Sequence, residues 1–231
     1  SKKKKLIVEE YLIGNQISTE SIVYKGKVYT PCFVDRNYKE LKKFLPNIIE
    51  NGGQQPTKLN KSNIKKIINL KEKATLALDI NNSTSKGDMI LSKNKAYVIE
   101  IAPRLSGGWL STHQTNYGTG INFLKSAFKL SLKENLTKND LYPKTHNSVV
   151  IRYFFSKSGK IINLPSLKIY KKNKNIKLIK FYYKKNQYIP PIEDHTNRLG
   201  FVIVSCQYKK EALKLANEVV SNIQQKIKID G

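Results

Sequence analysis

The sequence predicts an α+β fold, on three observations. Short runs with alternating polar and apolar residues come in pairs joined by tight turns, as hairpins do. Helical periodicity is confined to a few segments, the clearest after residues 61, 121 and 209. A polar stretch at 136–147 then divides a first β-rich unit with its helices, residues 1–135, from a smaller unit of strands and one closing helix, residues 148–231. No internal repeat is present.

Element by element, residues 6–12 (LIVEEYL) are expected as a strand, and residues 16–24 (QISTESIVY) alternate as a half-buried strand does. Lys25-Gly26-Lys27 marks a turn, and residues 27–34 return. Pro46, Gly52-Gly53 and Pro56 make residues 35–60 a long loop. Ile64, Ile67, Ile68 and Leu70 give a helix capped by Asn60 or Ser62. Strands at 88–92 and 96–102 flank Lys93-Asn94-Lys95. A loop rich in Gly and Ser follows at 104–120, then a helix over 121–133 with Phe123, Leu124, Ala127, Phe128 and Leu130 on one face. The second unit has strands at 148–155, 176–183 and 200–206, a turn at Ser158-Gly159, and an amphipathic helix at 209–227.

The chain carries 42 basic against 17 acidic residues, a formal charge of +25. Such a surplus raises the question of a nucleic-acid partner. Only four of the basic residues are arginine (Arg36, Arg104, Arg152 and Arg198), and the lysines are scattered among asparagine and isoleucine. Scatter describes a solvated surface, so a basic nucleic-acid-binding module is the weaker alternative. In such a background an arginine marks a place where a planar fork for carboxylate or phosphate is useful. No apolar run is long enough for a membrane helix. Cys32 and Cys206 lie far apart without metal-ligand spacing, as two buried thiols of a reduced, cytoplasmic chain.

The sharpest feature is residues 87–108, GDMILSKNKAYVIEIAPRLSGG. With Lys93-Asn94-Lys95 as a three-residue loop, Ser92 pairs with Ala96 and Asp88 with Glu100. Both carboxylates then share one face, a few ångströms apart. Opposed like charges need neutralising, either by one of the many lysines or by a hard cation such as Mg²⁺, which takes one or two carboxylates plus phosphate oxygens. Arg104 stands just past Pro103, and Ser106-Gly107-Gly108 exposes backbone N–H groups of the kind that cradle an oxyanion. Together these make a site for a metal-bound polyphosphate.

The stretch YVIEIAPRLSGG closely resembles the terminal metal-binding motif of ATP-grasp enzymes, and the gap from Asp88 to Glu100 matches that family's two carboxylate ligands. IVEEYLIGNQISTES is similar to its hinge strand and ribose-contacting turn. Residues 148–227 resemble the small C-terminal domain of the L-amino-acid ligases, with carbamoyl-phosphate-synthase-like members as further relatives. The resemblance implies ATP and Mg²⁺, with Mn²⁺ as a substitute, and small-molecule carboxylate and amine substrates joined through an acyl phosphate. It implies Asp88 and Glu100 as metal ligands. Arg104 would grip the carboxylate or oxyanion, with N–H donors from Ser106, Gly107 and Gly108. The backbone at Glu9, Glu10 and Leu12 would hold the adenine edge, and Gln16 would stand at the ribose.

Arg36 is a candidate for the triphosphate, weighed evenly against a surface ion pair. Arg198 is a candidate to close onto the site, His113 a weaker candidate substrate contact, and His146 and His195 have no expected role. The sequence departs from the pattern at Ala102, where many members have a metal-ligating Asn, and at Asp88, shorter than the usual Glu. The family's upstream domain and glycine-rich loop are not found before Glu9. The expectation is therefore the back half of a carboxylate–amine ligase, inactive without its N-terminal half and compatible with a homodimer. Nucleotide-precursor or carbamoyl phosphate chemistry is the alternative within the family.

Overall fold

The computed structural model describes residues 6–230. Strands β1 (Asn15–Tyr24) and β2 (Lys27–Arg36) form a hairpin. Its two turn residues, Lys25 and Gly26, have φ of 50° and 74°, the primed geometry whose twist matches that of the flanking strands. The short β3 (Gly53–Gln55) pairs Gln54 with Asp35 of β2. Helix α1 (Lys61–Ala77) starts at Asn60, whose side chain accepts the Asn63 N–H at 2.9 Å. Strands β4 (Ser83–Ser92) and β5 (Lys95–Ala102) make a second hairpin. A π-type turn, Leu110–Gln114, leads into α2 (Thr115–Thr119), followed by α3 (Phe123–Ser131) and α4 (Lys138–Leu141). The remainder runs β6 (Ser148–Phe154), β7 (Gly159–Asn163), α5 (Lys168–Lys171), β8 (Ile176–Phe181), β9 (Tyr188–Ile189), β10 (Gly200–Cys206), α6 (Lys209–Gln224) and β11 (Lys228–Asp230).

Eight strands form one antiparallel sheet in the order β5-β4-β1-β2-β3-β6-β10-β8, and β11-β7-β9 make a small second sheet. This is the mixed fold of a large antiparallel sheet and helices that the sequence predicts. Helices α1 and α6 cover the same face of the large sheet. Ile67 of α1 packs on Ile17 and Met89, and Ala212, Ala216, Val219 and Ile223 of α6 pack on Val150, Phe154 and Val202. Because side chains alternate along a strand, Ser18, Val34, Arg36, Asp88 and Ile151 point to the other face. That face is roofed in part by the loop and helices of 104–131, anchored through Ile121 and Phe123 against Ile22 and Trp109 against Phe201.

Several expectations are corrected. Residues 6–12 are not a strand: they are irregular, with Leu6, Ile7 and Val8 about 90% exposed. Consecutive apolar residues give a strand only where a neighbour accepts their backbone bonds, and among the described residues none pairs with them. The long loop at 35–60 contains β3, which joins β2 to β6; its sequence, Gly-Gln-Gln, has no apolar signal to betray it. The loop at 104–120 is partly helical, and the expected linker holds α4, capped by Thr137 and Asp140. Across that linker the sheet is continuous, through Gln54↔Val150 and Gln55↔Val149. The closing helix ends at Gln224, three residues early, and the turn at Ser158-Gly159 is where β7 begins. Both cysteines are buried and free, as expected.

Candidate functional site

The β4–β5 hairpin closes on a two-residue turn, Lys93-Asn94, with φ of 45° and 64°. Ser92 therefore pairs with Lys95, not with Ala96. The register shifts by one residue between Met89↔Val98 and Asp88↔Glu100, leaving Ile99 as an extra residue in β5. Asp88 and Glu100 are thus directly opposed, as the sequence predicts, by a different local route.

Asp88 is buried and heavily bonded. Its Oδ1 accepts the Ser18 hydroxyl at 2.8 Å, and its Oδ2 accepts Lys86 Nζ at 2.6 Å and Arg36 Nη1 at 3.3 Å. The Glu100 side chain is half exposed, with Oε1 3.5 Å from Lys86 Nζ and 3.6 Å from Arg104 Nη2. Lys86 therefore lies between the two carboxylates. Arg36 is fixed on its other edge by Glu50, Nε to Oε2 at 2.6 Å. Burial works against the Arg36 cation, but Glu50, Tyr38 and Asp88 outweigh it and hold the guanidinium more firmly charged than usual.

The Ser106-Gly107-Gly108 turn is tied down from beneath. Glu20, fully buried on β1, accepts the Ser106 N–H at 3.1 Å. Ser111 Oγ donates to the Ser106 carbonyl at 3.0 Å, and Tyr153 Oη to that of Gly108 at 3.4 Å. The Ser106 N–H, expected as an oxyanion donor, is engaged by Glu20. Gly107 has open space where a Cβ would stand. Burial pushes the Glu20 carboxyl up to about 7, against the opposing pull of Ser106, Ser111 and Lys71. Its Oε2 has no hydrogen-bond partner.

A second wall comes from residues after 190. Arg198 is buried, its guanidinium 3.7 Å from the centre of the Tyr153 ring, and Nη2 donates to the Glu50 carbonyl at 2.6 Å. His195 Nε2 accepts the Glu50 N–H at 3.4 Å. Burial and the neighbouring Arg198 cation hold this imidazole below its ordinary range. These groups enclose a cavity of about 310 Å³, lined by Arg36, Lys86, Arg104, Arg198, Glu50, His195 and the Ser106–Gly108 turn. Four cations face Glu50 in the lining and Asp88 and Glu100 at its edge, a net positive balance that suits an anion.

Residues 1–108 match the sequence profile of the ATP-grasp domain. None of the curated proteins compared by sequence matches the chain. Among solved structures, the chain superposes on phosphoribosylglycinamide synthetase from Anaerococcus prevotii with a TM-score of 0.76 at 23% identity, covering 96% of this chain and 54% of that one. For L-amino acid ligase from Bacillus licheniformis the TM-score is 0.79 at 19% identity, covering 95% and 55%. A third similar structure is the biotin carboxylase domain dimer of 2-oxoglutarate carboxylase from Hydrogenobacter thermophilus, in complex with MgADP, ADP and bicarbonate; the TM-score is 0.65 at 16% identity, covering 96% and 48%. At these identities the likeness is one of fold. The chain spans about half the length of the structures it matches.

The structure brings together Arg36, Asp88, Glu100, Arg104 and the Ser106–Gly108 turn. Glu9, Glu10 and Leu12 lie on the irregular segment before β1, with Glu9 and Glu10 exposed, and none of them lines the cavity. Gln16, the second residue of β1, lies opposite Ile90 and borders a separate, smaller cavity that also touches Arg36 and Tyr38. His113 packs edge-on against Trp109 and does not line the cavity beside Asp88 and Glu100. Lys86, Glu50, Glu20 and His195 are the residues that sequence reasoning missed. Alternation does place Lys86 on the Asp88 face, two residues away. Glu50 and His195 lie in loops whose approach only the tertiary fold sets.

No group of three or more His, Cys, Asp or Glu side chains able to hold a metal occurs among the described residues. A cation at Asp88 and Glu100 would therefore need other oxygens, and the cationic cavity beside them suits a polyphosphate that supplies them. On that chemistry the residues fit a Mg²⁺–nucleotide. No helix among the described residues is long and apolar enough to cross a membrane.

Proposed function

We propose that the chain forms the metal and acyl-transfer end of an ATP-dependent carboxylate–amine ligase. The observation that carries this reading is the opposition of Asp88 and Glu100 at the edge of a cavity lined by Arg36, Lys86, Arg104 and Arg198. A divalent cation held there supplies charge neutralisation for phosphoryl transfer to a carboxylate. Asp88 and Glu100 would be its ligands. Arg104, half exposed and held only by Glu100 and the Leu105 carbonyl, is free to turn its fork onto the substrate carboxylate. Gly107 and Gly108 let the substrate approach the backbone closely.

The smaller cavity bordered by Gln16, Arg36 and Tyr38 supports the ribose side of the nucleotide reading. For Glu9, Glu10 and Leu12 the support is the resemblance of their segment to a hinge. The second wall, Arg198 with its partners, gives the substrate a further cationic contact away from the metal pair. That favours a substrate with a second anionic group, either an amino acid's carboxylate or, in nucleotide-precursor chemistry, a phosphate.

The test is ADP release and amide formation by the protein as encoded, over a panel of amino-acid pairs and phosphorylated amines with Mg²⁺ or Mn²⁺. Glu100→Gln serves as the control. ADP release that no carboxylate–amine pair stimulates, or that survives Glu100→Gln, overturns the reading.

A further inference from the structure

Lys86 has no counterpart in the roles drawn so far, yet its ammonium sits where a cation shared by Asp88 and Glu100 would lie. Nζ is 2.6 Å from Asp88 Oδ2 and 3.5 Å from Glu100 Oε1, on a side chain only 12% exposed. We infer that Lys86 is a tethered cation that keeps a bare divalent ion off the Asp88–Glu100 pair and yields the pair only when the ion arrives with a polyphosphate. This deepens the proposed function and rests on its metal assignment.

The argument is one of charge and freedom of movement. Arg36, Lys86, Arg104 and Arg198 bring four positive charges to the cavity, against three negative ones from Asp88, Glu100 and Glu50. A divalent ion alone adds to a surplus that is already positive, among groups within a few ångströms of it. A di- or triphosphate entering with the ion brings enough negative charge to reverse that penalty.

Of the cations near Asp88, Arg36 is clamped by Glu50 at 2.6 Å, while Arg198 is buried on Tyr153 and bonded to the Glu50 carbonyl. Neither is free to move. Lys86 hangs on a flexible four-carbon stem, reaches into the same cavity as Gly107 and Gly108, and needs only side-chain rotation to exchange carboxylate oxygens for phosphate oxygens. The exchange removes from Asp88 Oδ2 the closer of its two cations, at 2.6 Å, and leaves only the longer contact of Arg36 at 3.3 Å.

The experiment titrates Mn²⁺ alone, and then Mn²⁺ with ADP, into the chain by calorimetry. Wild type is compared with Lys86→Met and with the charge-retaining Lys86→Arg; thermal unfolding checks each variant, and Lys86→Gln replaces the Met variant should that not fold. The expected result is Mn²⁺ alone binding at least about fivefold tighter to Lys86→Met than to wild type. ADP should strengthen Mn²⁺ binding less in that variant, and Lys86→Arg should behave as wild type. A folded Lys86→Met with unchanged or weaker Mn²⁺ affinity overturns the role of Lys86 and leaves the metal pair standing. Absence of Mn²⁺ binding in every protein, with and without ADP, overturns the metal assignment and this inference with it.

Discussion

Glu100 faces Asp88 because Ile99 is bulged out of β5. From the tight Lys93-Asn94 turn, a regular ladder would set Glu100 opposite Gly87, on the face covered by α1. The single extra residue turns Glu100 onto the cavity face, with Ala96 and Ile101 still packed toward α1. A bulge beside a site is a common device for re-aiming one side chain. Here it assembles the carboxylate pair.

The two members of that pair should respond differently to neutralisation. Asp88 is buried and accepts from Ser18, Lys86 and Arg36. Asp88→Asn takes from Lys86 its close carboxylate and from Arg36 its second one, and should cost about 3 kcal/mol, read as a shift of the urea midpoint. Glu100 is half exposed with only long contacts, so Glu100→Gln should change stability by less than about 0.5 kcal/mol. Both should abolish Mg-ATP turnover. A Glu100→Gln protein with full activity removes the metal role.

Glu20 predicts a pH dependence of stability. Its carboxyl titrates near 7 in the fold, against 4.5 as the reference. Between those values the folded chain holds a proton that the unfolded chain has released, so stability falls as pH rises through the window. The loss should reach roughly 3 kcal/mol above pH 7. Lys71 (α1), Lys86 (the β4 partner), Cys32 (the β2 partner) and the Ser106 and Ser111 side chains surround the group. Glu20→Gln keeps the acceptor for the Ser106 N–H and cannot ionise. Chemical unfolding at pH 5 and pH 8 should show wild type losing stability relative to this variant. Parallel profiles overturn the assignment.

Most of the fold was legible because its signals are local. The Lys25-Gly26 turn, the Asn60 cap and the alternation of residues 16–24 each act within a few residues. The opposition of Asp88 and Glu100 was read correctly from a miscounted loop, since the extra residue lies at Ile99 in the strand instead of in the turn. Residues 6–12 misled because apolar character alone does not supply a pairing neighbour. β3 escaped because a three-residue polar strand is defined only by its partners, β2 and β6. The second wall was largely out of reach for the same reason: Glu50 and Arg198 are separated by 148 residues and meet through tertiary packing.

Gly52 should tolerate no side chain. Its φ is +68°, and a Cβ there would lie 2.3 Å from the Ile151 carbonyl oxygen, a backbone atom that cannot turn aside. Gly52→Ala should cost at least about 3 kcal/mol through strain and the clash together. Because Gly52 borders the cavity between Glu50 and Ile151, the same substitution should also weaken anion binding. Thermal unfolding within about 2 °C of wild type would show that the loop shifts freely, against this geometry.

Arg198 separates structural from recognition roles in one residue. The guanidinium stacks on Tyr153, donates to the Glu50 carbonyl and faces the cavity. Arg198→Met keeps much of the apolar stem but leaves that carbonyl without its donor, a cost of about 1–3 kcal/mol. Arg198→Lys retains the charge while losing the planar stack and the fork. If the second wall holds an anionic group of the substrate, Arg198→Lys should raise KM several-fold with kcat little changed, and Arg198→Met should raise it further. Metal affinity should stay at the wild-type level in Arg198→Lys, which keeps the charge and leaves Asp88 and Glu100 untouched. A Lys variant with wild-type KM for every active substrate confines Arg198 to holding Glu50 and Tyr153 in place.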